Sequence, residues 1–465
     1  MGGGFSGAVF ALKALRGLPD ADIVLIERRR ALGRGLAYGA CAPFHLLNVP
    51  VSRAEIGLEP GFADWLKDQS FDLTAALAES GGDLTSAFVV RDAFGAYLEA
   101  LTRKAAAGRS RLKVVHAEAV RLEDSPTPAV VLDDGRTVKA DSIVLATGNL
   151  PASPLAIPGL MSDVSVANDP WAADALDGID PSAPVLLVGT GLTMVDVVLK
   201  LVEGGHRGPL LALSRHGVVP ATHAAGGFWA PFMDAGHVSP LQALRSVRAA
   251  IAQAEAQAVP WQRVIDAVRP ATARIWHGWS GAERLQFFRH LRTLWTSVRH
   301  RMAPRVASRL RDLTASGQLR IAAGRIRRAE PFPDGIDVAF GTPGAGQEHF
   351  RAARMFNCTG PRGDVSAIAH PLLADLVRKH LVLPDALGLG IETDDSAVLD
   401  SRGNISRWLF ALGPLTRPAW WEITAIPEIN TQIERLVQKL AVTQAGRPPQ
   451  WSLLADEFVD LGAGI

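Results

Sequence analysis

Apolar and polar positions along the 465-residue chain follow two rhythms. Short apolar runs bounded by turn formers predict buried parallel strands at Ile23–Ile26, Val185–Val188 and Leu210–Leu213. Apolar residues at helical spacing predict helices over 5–15, 89–107 and 195–203, and a last long helix that opens near Pro427 and runs to about Leu440. Gly17 and Pro19 close the first of these. Segments 114–123, 129–132 and 137–140, turning at Asp133-Asp134-Gly135-Arg136, predict a small β-meander. Three more strands run into small residues: one into Thr147-Gly148, one from Met355 into Thr359-Gly360, and one from Trp408 into Gly413-Pro414. Shorter strands are expected at 319–322 and 335–340, and Pro151, Pro154 and Pro158 mark a linker. From Pro240 to about Ser316 the pattern is helical, with Leu285, Phe288, Leu291, Leu294 and Trp295 predicted on one apolar face. In that block Trp261, Trp276, Trp279 and Trp295 read as core or as a cage for a small molecule. Arg299-His300-Arg301 reads as a solvated face or an anion-facing cluster.

Glycines give this pattern its chemistry. Gly2, Gly4 and Gly7 have the G-x-G-x-x-G spacing that, between a strand and a helix, rests a dinucleotide pyrophosphate on the helix N-terminus. Glu27 follows Gly2 by 25 residues at a strand end, where an acidic side chain hydrogen-bonds ribose hydroxyls; a surface Glu is the alternative. The signature recurs. Gly189 and Gly191 follow a second strand, Met194 replaces the third glycine, and Arg215 follows Gly189 by 26 residues. An Arg at the reader position, beside Ser214, suits a 2′-phosphate and favours NADP(H) over NAD(H), unless it merely meets solvent. Two such units at like spacing, with opposite charge at the reader position, imply two dinucleotide sites. The Gly-rich stretch from Leu32 to Pro50 reads as a loop touching cofactor or substrate through His45 and Asn48, or as a loop whose side chains satisfy its own backbone. Arg91 is expected to face a phosphate or solvent. The helical block, inserted in the second unit, is a candidate lid.

Composition narrows the rest. The formal net charge is +1 and no apolar run approaches the roughly 20 residues of a membrane span, so neither nucleic acid nor membrane is an expected partner. Two distant cysteines, Cys41 and Cys358, fit a reducing cytoplasm and disfavour both a disulfide framework and a dithiol reductase. No metal-ligating cluster, Ser-His-Asp set or carboxylate pair is evident. Only Met1 stands where a first β-strand is expected; the start therefore reads as shortened, and restoring an upstream apolar strand is expected to improve cofactor retention.

The order of parts resembles the flavoproteins with two dinucleotide-binding domains. It is similar in particular to the bacterial FAD/NAD(P)-binding family that includes a flavin-dependent urate hydroxylase and amino-acid N-monooxygenases. The resemblance rests on 2–7, 33–39, 45–50, 189–195, Ser214-Arg215, 295–304 and 421–428. It implies an α/β fold of two Rossmann-like domains with a β-meander and a helical insertion. The expected boundaries are 1–155 for the first part of an FAD domain, 156–355 for an NAD(P) domain with its insertion at about 240–316, and 356–465 for the second FAD part. The implied cofactors are FAD, held by Gly2, Gly4, Gly7 and Glu27, and NADPH, held by Gly189, Gly191 and Arg215, with Phe5, Ser6, Asn48, Thr147, Gly148, Ser214, Gly360, Gly413 and Thr424 as further cofactor-binding candidates. The implied activity is an NAD(P)H-using monooxygenase acting on a small molecule. A flavin reductase that does not use dioxygen and a non-catalytic redox sensor are the alternatives. His45, Asn48 and His223 are the candidate catalytic side chains.

Overall fold

The computed structural model describes residues 1–444 other than 109, 125, 161–164, 234–235, 343 and 345. Two parallel-sheet units organise it, each a place where a strand runs into a glycine turn and then a helix.

In the first unit, strand Ile23–Ile26 pairs in parallel with Leu112–Val115. Strand Ile143–Leu145 pairs in parallel with Ile405–Ala411, which continues antiparallel into Ala397–Leu399 and Thr393–Asp394. Met1 lies between the two halves. Its ammonium donates to Val144 O (2.8 Å), Ala146 N donates to Met1 O (2.8 Å), and Gly2 N donates to Ile26 O (2.9 Å). One residue thus holds the place expected for a strand, and the glycine turn is anchored on both sides. Helices Phe5–Gly17, Arg91–Ala106 and Ile426–Gln444 share one apolar core with the Val51–Leu66 segment. Its Phe62, Phe94 and Tyr97 are fully buried. The expected strand over 114–123 is in fact two. Leu112–Val115 joins the parallel sheet, while Ala119–Glu123 turns away to pair antiparallel with Ala129–Leu132. The meander then closes on Thr137–Lys139. The stretch expected to be loop holds a short helix, Gly35–Gly39.

The second unit is a five-stranded sheet in the order 319–323, 210–214, 185–188, 354–357, 166–167, every pair parallel. Helices Leu192–Glu203 and Pro304–Ala315 cover it through Met194, Val198, Leu310 and Leu313. Because Met194 lies inside the helix and is fully buried, the absent third glycine is replaced by packing mass. A three-stranded antiparallel sheet, Arg325–Phe332, Gly335–Thr342 and Gly346–Ala352, leans on this unit. Its outer strands escaped the sequence reading because they are charged and largely exposed (Arg325, Arg328, Glu330; Gln347, Glu348), leaving no apolar alternation to see.

The helical block comprises Pro240–Ala256, Trp261–Gly278, Gly281–His290 and Arg292–Arg299 before Pro304–Ala315. Ser239 and Ser280 start two of these with capping boxes to Gln242 and Glu283. The single apolar face expected from Leu285 to Trp295 does not exist. The chain bends at Leu291 (φ −117°, ψ −26°), which breaks the helical phase and leaves Leu285 and Leu294 about half exposed, at 52% and 51%. No helix among the described residues is long and apolar enough to cross a membrane.

The expectation for Arg91 fails. It faces neither phosphate nor solvent but is buried against Asp196 on the helix of the second unit, with paired contacts of 2.9 and 3.3 Å, and also donates to Leu46 O (3.2 Å). This ion pair joins the two sheet units through charge that water does not screen. Removing one partner strands the other in low dielectric, a loss of about 3–5 kcal/mol for such pairs. Arg91→Met should therefore lower stability in urea unfolding by that order, whereas Arg103→Met, on an exposed pair, should change it by less than about 1 kcal/mol.

Candidate functional site

The two glycine turns are built alike. Gly2 has φ +92° and Gly189 φ +113°, in the region that favours glycine. A Cβ on Gly2 would lie 2.3 Å from Ala146 O, and one on Gly189 would lie 2.3 Å from Cys358 O. Each carbonyl belongs to the residue just before a Thr-Gly pair, Thr147-Gly148 or Thr359-Gly360. Gly2 N donates to Ile26 O and Gly189 N to Leu213 O, so the register also repeats (2.9 and 2.8 Å). Gly7 completes the first turn, since a Cβ there would lie 1.8 Å from Gly2 O. Gly148 and Gly360 have φ of +70° and +87° and open space beside them.

Each turn delivers an uncapped helix N-terminus. Gly4 and Gly191 are the N-cap residues, no side chain caps either helix, and neither first turn holds an acid. Their first N–H groups and the positive end of the dipole are therefore offered to an anion. Gly191 (φ −81°) has no atom within 4 Å of where a Cβ would stand. That open space over a helix N-terminus is the fit expected of a diphosphate cradle. Phe5 packs its ring on Tyr38 and Phe94, so its backbone N–H is what it has to offer. Ser6 is buried, and a Cβ on Gly413 would lie 2.7 Å from its Oγ. Gln432, fully buried on the last helix, accepts from Gly413 N (2.8 Å) and donates to Thr416 Oγ1 (2.9 Å), fixing that turn beside the first cradle. Thr147 Oγ1 is buried without a partner among the described residues. Thr424 is exposed at the start of the last helix.

At the reader positions, Glu27 accepts from Gly3 N (2.6 Å) and Arg29 N (2.8 Å). Its carboxylate is held in place by backbone and keeps lone pairs for further donors. Ser214 turns inward to Thr190 Oγ1 (2.9 Å) and Gly217 N (3.0 Å), so it shapes the turn beneath Arg215. Arg215 is exposed. Arg292, also exposed, holds its guanidinium 5.5 Å over the Phe288 ring, within electrostatic reach of Arg215. Neither arginine has a carboxylate partner among the described residues. An exposed guanidinium without counter-charge at the Arg215 strand end suits a phosphate dianion. Arg292 was not foreseen, because nothing local in an Arg-rich helix marks which arginine folds toward position 215.

His45, Asn48 and His223 lie together at the seam between the two units. His45 Nδ1 accepts from Ala42 N (3.1 Å), so Nε2 carries the proton and donates to Asp196 O (3.0 Å). His223 Nε2 donates to Asn48 O (2.9 Å). Burial lowers both imidazole pKa values, that of His223 to about 4 with further depression by Arg301. Both rings are neutral near pH 7 and hold backbone in place.

Behind this seam lies a charged array, and it revises the reading of Arg299–Arg301. Arg299 bonds Glu428 (2.9 Å) and faces Glu422 (3.4 Å), while Arg301, 2% exposed, pairs with Asp266. Arg269 adds a 2.6 Å contact to Glu428, and Arg53 and Arg263 approach Asp266 at 3.6 and 3.4 Å. Trp295 Nε1 donates to Glu422 (2.6 Å). Burial would raise the Glu422 carboxyl, but Arg299 and then His300 outweigh it and hold it below the usual range. Among the described residues no group of three or more His, Cys, Asp or Glu side chains could hold a metal ion.

Residues 1–150 match the model of the FAD-NAD(P)-binding family. A comparison with curated protein sequences finds no match. Among solved structures the chain has the fold of two-dinucleotide flavoenzymes. It resembles the ornithine N-hydroxylase of Kutzneria sp. 744, at 17% identity and a TM-score of 0.66, covering 95% of this chain and 98% of that one. It resembles the L-lysine 6-monooxygenase of Pseudomonas syringae at 17% identity and a TM-score of 0.64, over 95% and 98% of the two chains. A third similar structure is the FAD-bound cadaverine monooxygenase of Erwinia amylovora, at 11% identity and a TM-score of 0.61, over 96% and 95%.

The buried imidazoles make a pH prediction. Burial lowers His223 and His300 from 6.5 to about 4. Between those values the unfolded chain binds more protons than the folded one, so stability falls as pH falls through that window. Urea midpoints should drop from about pH 6.5 toward about pH 4. The double variant His223→Gln/His300→Gln should flatten that slope, and an unchanged slope would contradict the assignment.

Proposed function

We propose that the protein is an FAD-dependent, NADPH-using oxidoreductase, a monooxygenase acting on a small molecule. The observation that carries the reading is the repeated cradle: glycine against the carbonyl before a Thr-Gly pair, then an uncapped helix N-terminus. The family match over residues 1–150 supports FAD at the first cradle, and the exposed Arg215 at the second strand end, without a carboxylate partner among the described residues, supports NADPH at the second.

In this reading the boundaries expected at 155/156 and 355/356 separate the FAD domain from the NADPH domain, the second one moved to after Asn357 because strand Arg354–Asn357 belongs to the NADPH domain's sheet. The backbone N–H groups of Phe5, Ser6 and Gly7 hold one diphosphate, Gly2 and Gly4 let the turn pack against Ala146 O and Gly35, and Glu27 takes ribose hydroxyls. Thr147, Gly148, Asn48, Gly413 and Thr424 border the remainder of the FAD site, while Gly360, next to the Cys358–Thr359 stretch that meets Gly189, belongs beside the second cradle. Gly189 and Gly191 cradle the second diphosphate, Arg215 takes the 2′-phosphate, and Ser214 shapes the turn. The chemistry that such cofactors supply when bound is hydride transfer and dioxygen activation. The chain supplies position and dryness: His45 and His223 fix the loop at the seam, and the Arg91–Asp196 pair sets one unit against the other. A reductase working through paired thiols finds no support, since burial pushes the Cys358 thiol up and neither cysteine is in a disulfide. A cytoplasmic location is part of the proposal, suggested by those unpaired thiols.

Anaerobic NADPH should bleach the visible band of the FAD-loaded protein faster than NADH does. Arg215→Leu should raise the KM for NADPH about 10- to 100-fold, the worth of a charged hydrogen bond, and leave that for NADH unchanged. An equal loss for both would contradict the 2′-phosphate assignment. Oxygen uptake that keeps pace with NADPH oxidation only when substrate is present marks the monooxygenase. NADPH oxidation passed to an acceptor without oxygen uptake would favour a reductase.

A further inference from the structure

The helices Pro240–Ala256, Trp261–Gly278, Gly281–His290 and Arg292–Arg299, with Trp421, line a cavity of about 330 Å³ that is open to solvent on one side. That is roughly twice the ~150 Å³ cavity that admits benzene. Five of the eleven tryptophans line it: Trp261, Trp276, Trp279, Trp295 and Trp421. Protein interiors close-pack and leave few voids larger than a water molecule. A cavity of this size lined by large flat side chains is a candidate binding space.

The wall defines the chemistry of its occupant. It contains no Asp, Glu or Lys; Thr272 and the exposed Arg248 are its polar members apart from the indoles. An ammonium group inside would lose its hydration with no carboxylate to meet it. Charged amino acids and diamines are thereby disfavoured. The indole N–H groups are also informative. Trp276 donates to Pro418 O, Trp279 to Val238 O and Trp295 to Glu422, whereas the Trp421 Nε1, buried, has no partner among the described residues. Trp421 stacks on Trp276 with centroids 5.0 Å apart, and it belongs to the same segment as Gly413, which abuts Ser6 at the first cradle. The cavity wall thus continues into the chain that borders the proposed FAD site.

We propose that this cavity binds a neutral, apolar, ring-bearing small molecule with one hydrogen-bond acceptor, and that this is the substrate class of the enzyme. The second clause rests on the monooxygenase reading; the first does not.

The test uses N-phenyl-1-naphthylamine, a neutral probe whose emission rises in apolar surroundings, titrated into the full-length protein. Wild type should bind it saturably, and excess L-ornithine or L-lysine should not displace it. Val247→Trp, which fills the cavity from its wall, should weaken binding at least about tenfold, with Ala243→Phe as the second filling variant should the first not fold. Leu285→Trp, outside the cavity and half exposed, should bind as wild type does. Absent saturation, equal binding by a folded filling variant, or displacement by L-ornithine would overturn the proposal. NADPH reduction of the flavin is followed in the same wild-type samples. Loss of probe binding with reduction intact sinks this inference alone. Probe binding without reduction sinks the functional reading and supports the cavity assignment.

Discussion

The architecture depends on a backbone contact repeated twice: a glycine at the end of a central position in the sheet, pressed against the carbonyl that precedes a Thr-Gly pair. At Gly2 and Gly189 a Cβ would come within 2.3 Å of that oxygen. No side chain fits, so the chain turns at once and starts a helix whose first N–H groups have no internal acceptor. The close approach and the anion cradle are thus one feature seen from two sides. Gly191, with open space over it, and Gly413, closed down on Ser6 and fixed by Gln432, show how the surroundings serve the cradles.

Charge ties the supports of the two cradles together. Arg91 reaches from the first unit to Asp196 on the helix of the second, and His45 bonds the same residue's carbonyl. Farther along the seam, Arg53, Arg263 and Arg301 gather around Asp266, and Arg269 and Arg299 around Glu422 and Glu428. These groups come from the loop after the first cradle, the helical insertion and the last helix. Buried ion pairs are poor sources of net stability and severe penalties when mismatched. Their effect here is to make one arrangement of three distant segments much better than any other. Positive charge is in excess along the seam, which favours a partner bearing phosphates.

Features written in local spacing were legible in the sequence. The glycine turns, the strand Val185–Val188 that feeds the second of them and the Thr-Gly strand ends needed only short-range pattern, and the structure has them where expected. Arg215 stands at its expected strand end, and Glu27 is where its spacing put it. What the sequence concealed was pairing across distance. Arg91 read as facing a phosphate or solvent because Asp196 is 105 residues away. For Arg299 and Arg301 a solvated face and an anion-facing cluster stayed open because their carboxylates, Asp266, Glu422 and Glu428, lie in distant segments. Leu285 and Leu294 fit one apolar face until the bend at Leu291 broke it. The tryptophans were read as core or cage, and the folded chain makes them both, since whether a void lies among them depends on four helices at once. The strands 325–332 and 346–352 carry no apolar alternation and gave no local signal.

The central claim, that two separate dinucleotide cradles exist and that the second is built at Gly189–Gly191, is most directly tested at Gly191. A Cβ there would meet no protein atom within 4 Å, and φ is −81°, so a valine carries no backbone strain and the fold should be kept. It would occupy the space over the helix N-terminus where the diphosphate belongs. Calorimetric titration of Gly191→Val with NADP⁺ should show affinity reduced at least about a hundredfold, with FAD content and melting temperature as in wild type. Unchanged NADP⁺ affinity in that folded, FAD-bearing variant would contradict the account.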